Sequence, residues 1–406
     1  MSIRFIRTPH GVLALVAAAA ALAALAVAAL SGAVTQAQAA KPEFKVLFVS
    51  TMSGPLSVGG KAENAGLLAG VKTVNATGGI LGRRVTVKTV DDAGSGAKAA
   101  AAAIQELSSA KYDMVICGMN GATAPACTGA IAQRKMLQMG VAPEDILSDP
   151  SKSPNTWVTL QRFAVNAEAL VLRLKKSKIK RIALLGGDNA AGREGAARMA
   201  DAAKKGGITV TDSTFVPVGA SDATPQVQKA KSSNPEAVVV MAFNLQNVTI
   251  LRARVKLGWD IPVFLDPNAS SFNYASVLSA SERTGISGST LPILVKGSKA
   301  SKSRSGKVFL KNVAVYDPKP VLSAQAHMVT YNAIVLTQAA AKKGKTADSA
   351  KLVKAMAKIR TVKDAPLSVG PATWYTSRTV RAPQIRGKEF TWFKLGSIVD
   401  GFQVPA

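Results

Sequence analysis

Asn75-Ala-Thr-Gly-Gly-Ile-Leu-Gly-Arg-Arg84 is the stretch whose reading decides the fold. Its glycines interrupt a helical pattern, and the chain resumes at once as a β-rich run, Val85-Thr-Val-Lys-Thr-Val90. Asp91-Asp-Ala follows, then an alanine-rich helical pattern from Gly96 to Ser109, then a second apolar run, Asp113-Met-Val-Ile-Cys-Gly118. Helix, glycine punctuation, strand, helix and buried strand together make a repeating α/β unit.

The same alternation returns further along. Arg181-Ile-Ala-Leu-Leu-Gly-Gly187 reads as a buried strand, and Gly192 to Lys205 as an amphipathic helix stopped by Gly206-Gly207. Ile208–Thr211 is read as strand, Thr224–Ser232 as helix, Ala237–Ala242 as buried strand, Asn247–Leu257 as helix and Pro262–Leu265 as strand. Continuous apolar strands separated by helices imply parallel sheets covered on both faces. At 406 residues and 48% hydrophobic, the chain is long enough for two such cores. An α/β protein of two Rossmann-like lobes follows.

With its neighbours, the opening stretch resembles the type I periplasmic solute-binding proteins of the branched-chain amino-acid (Leu/Ile/Val-binding) ABC-transporter family. The strand Phe44-Lys-Val-Leu-Phe-Val-Ser50 and the loop Ser53-Gly-Pro-Leu-Ser-Val-Gly59 fit the same family. The resemblance implies two lobes with parallel-type sheets, joined by a three-segment hinge near Val158–Ala164, Gly288–Val295 and Asp364–Pro371. The last holds Pro366-Leu-Ser-Val-Gly-Pro371, two residues longer than the family's Pro-Leu-Gly-Pro crossover. Residues 40–163 with 292–366 then form lobe 1, and 164–291 with 367–406 form lobe 2.

Residues 1–39 are read as a cleaved signal peptide: Arg4 and Arg7, an apolar run from Val12 to Leu30, then Ala37-Gln-Ala39 as a small-residue cleavage pattern. A membrane anchor is the rival, since the run exceeds the usual apolar core of roughly 7–15 residues; its alanine content and the small-residue site favour cleavage and export to the periplasm. That compartment permits a disulfide between Cys117 and Cys127, while both residues equally suit small buried positions. The formal net charge is +27, with basic clusters at Lys175–Arg181, Lys296–Lys307 and Lys342–Lys345. No aromatic-interleaved or zinc pattern accompanies these lysines, so they read as solvated surface rather than as a nucleic-acid interface.

Catalytic sets are not apparent. His327 is the one histidine beyond the leader, and it opens a helical pattern from Met328 to Ala341. Neither a Ser–His–Asp nor a Cys–His arrangement can be assembled around it, and the glycine-rich turns match no phosphate-binding or dinucleotide-binding loop. The reading is a non-enzymatic binding protein without a cofactor, a monomer serving an ABC permease of the inner membrane. A ligand-sensing module feeding a receptor is the alternative, and a hydrolase on the same scaffold the next.

Ligands of open parallel sheets gather at the carboxyl ends of the strands, which puts the loops after strands at the cleft. By resemblance, two first-lobe loops hold the ligand carboxylate. Asn120-Gly121-Ala122-Thr123 resembles one, and Pro150-Ser151-Lys152-Ser-Pro154 the other, with Lys152 adding a cation; Ser53 and Ser57 lie nearby. In the second lobe Ala191 stands at the family's aromatic place, Phe243 keeps one ring, and Asn268 replaces the acid that pairs with a ligand ammonium. A small carboxylate or amide that need not carry an ammonium is the expected ligand.

Overall fold

The structure, a computed structural model, describes residues 41–54, 56–359, 361–367, 370–373, 390–399 and 402–406. The expected leader at 1–39 lies outside the described residues. In chain order the first half runs β1 (Phe44–Ser50), α1 (Ser57–Ala76), β2 (Val85–Asp91), α2 (Gly96–Ser109), β3 (Met114–Cys117), α3 (Thr128–Gln133), β4 (Gln138–Gly140), α4 (Asp145–Ser148) and β5 (Thr156–Val158). The chain continues through α5 (Phe163–Lys176), β6 (Arg181–Asp188), α6 (Ala190–Lys205), β7 (Thr209–Pro217), α7 (Thr224–Ser232), β8 (Ala237–Met241), α8 (Leu245–Lys256), β9 (Val263–Leu265) and β10 (Ile286–Thr290). Helices α9 (Arg304–Tyr316), α10 (Gln325–Gly344) and α11 (Ser349–Met356) come next, then β11 (Thr361–Leu367), β12 (Gly370–Thr373), β13 (Thr391–Lys394), β14 (Ser397–Val399) and β15 (Phe402–Val404).

Two sheets organise these elements. The first is parallel with order β2-β1-β3-β4-β5, and the second has order β13-β10-β9-β8-β6-β7, parallel except for β13. Without β13 the second repeats the first, since each starts on an inner strand, adds one neighbour outward and then winds the other way. Each therefore has a switch point, between β1 and β3 and between β6 and β8, where the following helices depart to opposite faces and open a crevice at the strand carboxyl ends.

The glycine-rich stretch works as the bolt of the first sheet. Gly79, at φ +66°, lets Ile80 and Arg83 bridge in a turn where an added Cβ would strike the Arg83 carbonyl. The Asn75 side chain pairs with both backbone groups of Val85, at 3.0 and 2.8 Å, and so starts β2 in register. Arg83 then donates two hydrogen bonds to the Asp113 carboxylate, at 2.8 and 2.7 Å, tying the entry of β3 to the same turn.

The chain crosses from the first sheet to the second between β5 and α5 and returns after β10, where Leu291, Ile293 and Leu294 join the apolar core around Phe44, Phe48 and Ile116. The third expected crossing behaves differently. Residues 361–373 double back as an antiparallel hairpin, with Leu367 opposite Gly370. Residues 368–369 and 374–389 lie outside the described residues.

Helix α10 returns to seal the first sheet, packing its buried residues from Met328 to Ala341 into that core. It lies so close to α1 that an added Cβ at Gly66 would collide with the His327 backbone, and one at Gly70 would sit 3.0 Å from Tyr331 Cα. His327 itself is buried, with Nε2 2.8 Å from Asp317 Oδ2. The lysines and arginines of the three basic clusters are exposed. Gly66→Ala should lower the free energy of unfolding by roughly 2–3 kcal/mol, because backbone rather than a flexible side chain must yield. Chemical denaturation of the variant checks this.

Candidate functional site

Four strand-end segments define the crevice, those after β1 and β3 in the first sheet and those after β6 and β8 in the second. After β3 the chain turns sharply at Gly118, with φ +74° and no room for a Cβ against the Ala124 backbone. Cys117 and Cys127 are joined in a disulfide that holds both ends of the loop between them. Inside it the Asn120 carboxamide oxygen accepts the amides of Ala122 and Thr123, at 2.9 and 3.2 Å, and the Thr123 hydroxyl accepts the Met119 amide at 3.1 Å.

Thr123 thus differs from the expectation: it is fully buried and locks its own loop instead of facing a ligand. Ser57 is half-buried in the first turn of α1 rather than in a loop. An added Cβ at Gly59, two residues on, would strike Met119, so the segments after β1 and β3 adjoin. Ser53 is exposed and sits against Asp91, whose carboxylate is held down to about 2 chiefly by the Ser53 side chain and the Ala93 amide.

The two sheets meet at Gly121. A point one bond length from its Cα lies 2.9 Å from Glu144 Oε1, 3.2 Å from Ala190 Cβ and 3.3 Å from Ala191 N. Glu144 follows β4, while Ala190 and Ala191 open α6, capped by the Asn189 side chain on Gly192 N at 2.8 Å. Gly121 and Ala191 are therefore brought close together. Glu144, which the sequence reading missed, is 2% exposed, and neither carboxyl oxygen has a hydrogen-bond partner among the described residues. Burial pushes its carboxyl up to about 8 against the opposing pull of its own backbone amide, helped by the nearby negative Glu194 and Asp145.

Beside this contact runs a cleft of about 550 Å³ lined by Asp145, Asp149, Lys152, Arg162, Glu194 and Arg198, among others. The Asp145 amide donates to Glu194 Oε1 at 3.0 Å, and Arg198 Nε lies 2.8 Å from Asp145 Oδ2. The Arg198 N–H is not aligned for a hydrogen bond, so this contact is Coulombic. Lys152 stands exposed at the rim. Ser151, by contrast, gives its hydroxyl to Asp149 at 2.7 Å within an exposed turn that precedes β5. The expectation placed the carboxylate loop at 150–154 because its Ser-Lys-Ser-Pro spacing resembles the family's; α4 is only four residues long, and the segment that follows β4 is Val141–Glu144.

Asn268 also departs from its expected place. Its carboxamide oxygen accepts from Gln161 at 2.9 Å and Gln325 at 2.8 Å, and its backbone N–H donates to Asp266 Oδ1 at 2.8 Å, while its side-chain Nδ2 is buried without a hydrogen-bond partner among the described residues. It knots two inter-sheet connections together. Asp266 is fully buried in that knot, and burial raises its carboxyl to about 7 against the Asn268 and Ala269 amides. Phe243, half-buried after β8, precedes Asn244, whose φ of 51° and ψ of −126° start α8.

A model described as periplasmic binding protein matches residues 43–382. The chain belongs to that family. It is similar to a Leu/Ile/Val-binding protein homolog of Brucella melitensis, with 24% identity over 324 residues that cover 79% of this chain and 84% of the relative. Among solved structures it resembles the branched-chain amino acid transporter substrate binding protein LivJ of Streptococcus pneumoniae in complex with isoleucine, with TM-score 0.72 and 16% identity over 90% of this chain and 100% of that one. A solute binding protein of an ABC transporter from R. palustris in complex with benzoate gives TM-score 0.74 and 18% identity over 89% and 95%. Family membership makes this a ligand-binding protein of the periplasmic or extracellular space. Among the described residues no group of three or more His, Cys, Asp or Glu side chains is arranged to hold a metal ion.

Two measurements test the site. Replacing Cys117 and Cys127 by serine should cost roughly 2–3 kcal/mol of stability, the loop-closure entropy of a short covalent loop, read as a lower denaturant midpoint. Asp266 is raised above its usual carboxylate value, so the folded protein holds a proton that the unfolded chain releases, and stability falls as pH rises from about 4 to about 7. Asp266→Asn should flatten that fall by the order of a few kcal/mol, seen by comparing denaturation midpoints of variant and parent at pH 5 and pH 8.

Proposed function

We propose that this periplasmic binding protein is the substrate-binding component of an ABC importer. In this reading the leader is cleaved after residue 39, the mature protein is a monomer, and residues 40–163 with 292–366 close on 164–291 with 367–406 around a small organic ligand. An inner-membrane permease then receives the closed form. The observation that carries the reading is the meeting of Gly121 with Ala190 and Ala191, which joins the switch points of the two sheets at one place. The related proteins bound to isoleucine and to benzoate support a ligand of that size, amino acid-like, a carboxylate or an amide.

Asp145, Glu194 and Arg198 supply a charged contact between the segment after β4 and helix α6 that exists only while the lobes are close. Half-exposed ion pairs contribute about 1 kcal/mol or less, so Arg198→Ala should weaken ligand binding up to about fivefold by favouring the open form. The decisive experiment is a thermal-shift screen of leucine, isoleucine, valine, benzoate and their amides, followed by small-angle scattering. A ligand at 100 times its Kd stabilises the fold by about 2.7 kcal/mol. Compaction on binding is the expected result, and a bound compound that leaves the scattering profile unchanged would refute closure.

A further inference from the structure

Glu144 is the feature that neither folding nor the charged contact beside it explains. A carboxyl group sealed from water without a partner opposes folding. Its neighbours offer no relief: Asp145 is engaged with Arg198, with Arg162 3.8 Å away, and Glu194 accepts the Asp145 amide. The Asn120 amide nitrogen, in the residue before Gly121, is likewise buried without a partner among the described residues. An acid and an amide N–H₂, both unsatisfied, thus flank Gly121, where the two sheets touch.

The charges around this spot set the polarity of what it takes. Asp145, Asp149 and Glu194 balance Lys152, Arg162 and Arg198 along the neighbouring cleft, and Glu144 lies near Glu194 and Asp145, so its ionisation adds one negative charge to the group. Once Glu144 ionises, a ligand carboxylate placed here would meet like charge in a poorly solvated space. A ligand nitrogen would instead supply the missing donor, and an ammonium would also neutralise the excess.

We infer that Glu144 is the specificity-determining residue of the cleft, and that it receives a nitrogen-borne hydrogen-bond donor of the ligand, an ammonium or a primary carboxamide, rather than a carboxylate. This rests on the cleft reading above and reverses, at one end of the ligand, the polarity that the family resemblance implies.

The test uses the exported chain with matched probes: 3-methylbutylamine, 3-methylbutanamide, 3-methylbutanoate and leucine, with benzylamine, benzamide and benzoate as the aromatic set. Thermal shift and calorimetry are run on the parent, Glu144→Gln and Glu144→Leu. Amine or amide members should bind the parent and lose at least tenfold in Glu144→Leu. Glu144→Gln separates the sources: it should weaken an amine tenfold or more but an amide about threefold or less. An amine should also bind more tightly as pH rises from 6 to 8, by up to tenfold per unit, because Glu144 must lose its proton to pair with it. Carboxylates without nitrogen that bind the parent, and bind Glu144→Leu as well or better, overturn the inference. If no probe shifts any form, the small-ligand reading fails instead. The ligand-free variants then judge Glu144 alone: unchanged or higher melting temperatures in Glu144→Leu and Glu144→Gln support a group kept for binding, and a lower one in both overturns it.

Discussion

The close crossing of α1 and α10 at Gly66 is the constraint on which the rest of the molecule depends. Between these helices lie the last strands of the first sheet, almost the whole second sheet and the return connection. The first core includes Leu67 and Val74 of α1 with Ile334 and Leu336 of α10, so it closes only when the late segment docks on the early one. A core that needs contacts so distant in sequence forms slowly and late. Once formed, it obliges the chain to pass between sheets along fixed routes, and those routes carry the polar knot of Gln161, Asp266, Asn268 and Gln325. A connection of hydrogen-bonded amides and acids can exchange partners as the sheets move, which a packed apolar connection cannot do without opening voids.

The crevice inherits its geometry from topology and its chemistry from only a few side chains. Both sheets place a switch point where the first loops depart, so the meeting of Gly121 with Ala191 follows from strand order. What distinguishes this chain is the residue that the short connection after β4 puts there. Glu144 follows a three-residue strand and precedes a four-residue helix, and so is held by a tight local path. Burial, helped by acidic neighbours on both sides of the crevice, then raises its carboxyl to about 8.

Much of the architecture was legible from the residues because each element carries its own local signal. The boundaries of β1, α2 and α7 match the sequence reading, since glycine, proline or polar residues bracket continuous apolar or helical patterns there. The lobed α/β fold and the family followed from the order of those elements. Side-chain roles were less legible, because they depend on what lies opposite. Thr123 looks like a ligand hydroxyl in sequence, yet the turn at Gly118 folds it inward onto Met119. Asn268 looks in sequence like a residue with a free side chain, yet Gln161 and Gln325, each more than fifty residues away, take its oxygen. Ser151 was chosen on motif spacing, which a shortened α4 shifts away from the strand end; the acid pair Glu144-Asp145 just after an apolar run was the signal available and unread.

The covalent link from Cys117 to Cys127 has a consequence in time as well as in space. Thiols stay reduced in the cytosol and pair in oxidising compartments, so the chain and its crevice loop reach full stability only after translocation. A chain whose two thiols are still free is the weaker folder, because this loop is then unclosed. The bond that shapes the loop thereby ties the stability of the molecule to the redox state of its surroundings.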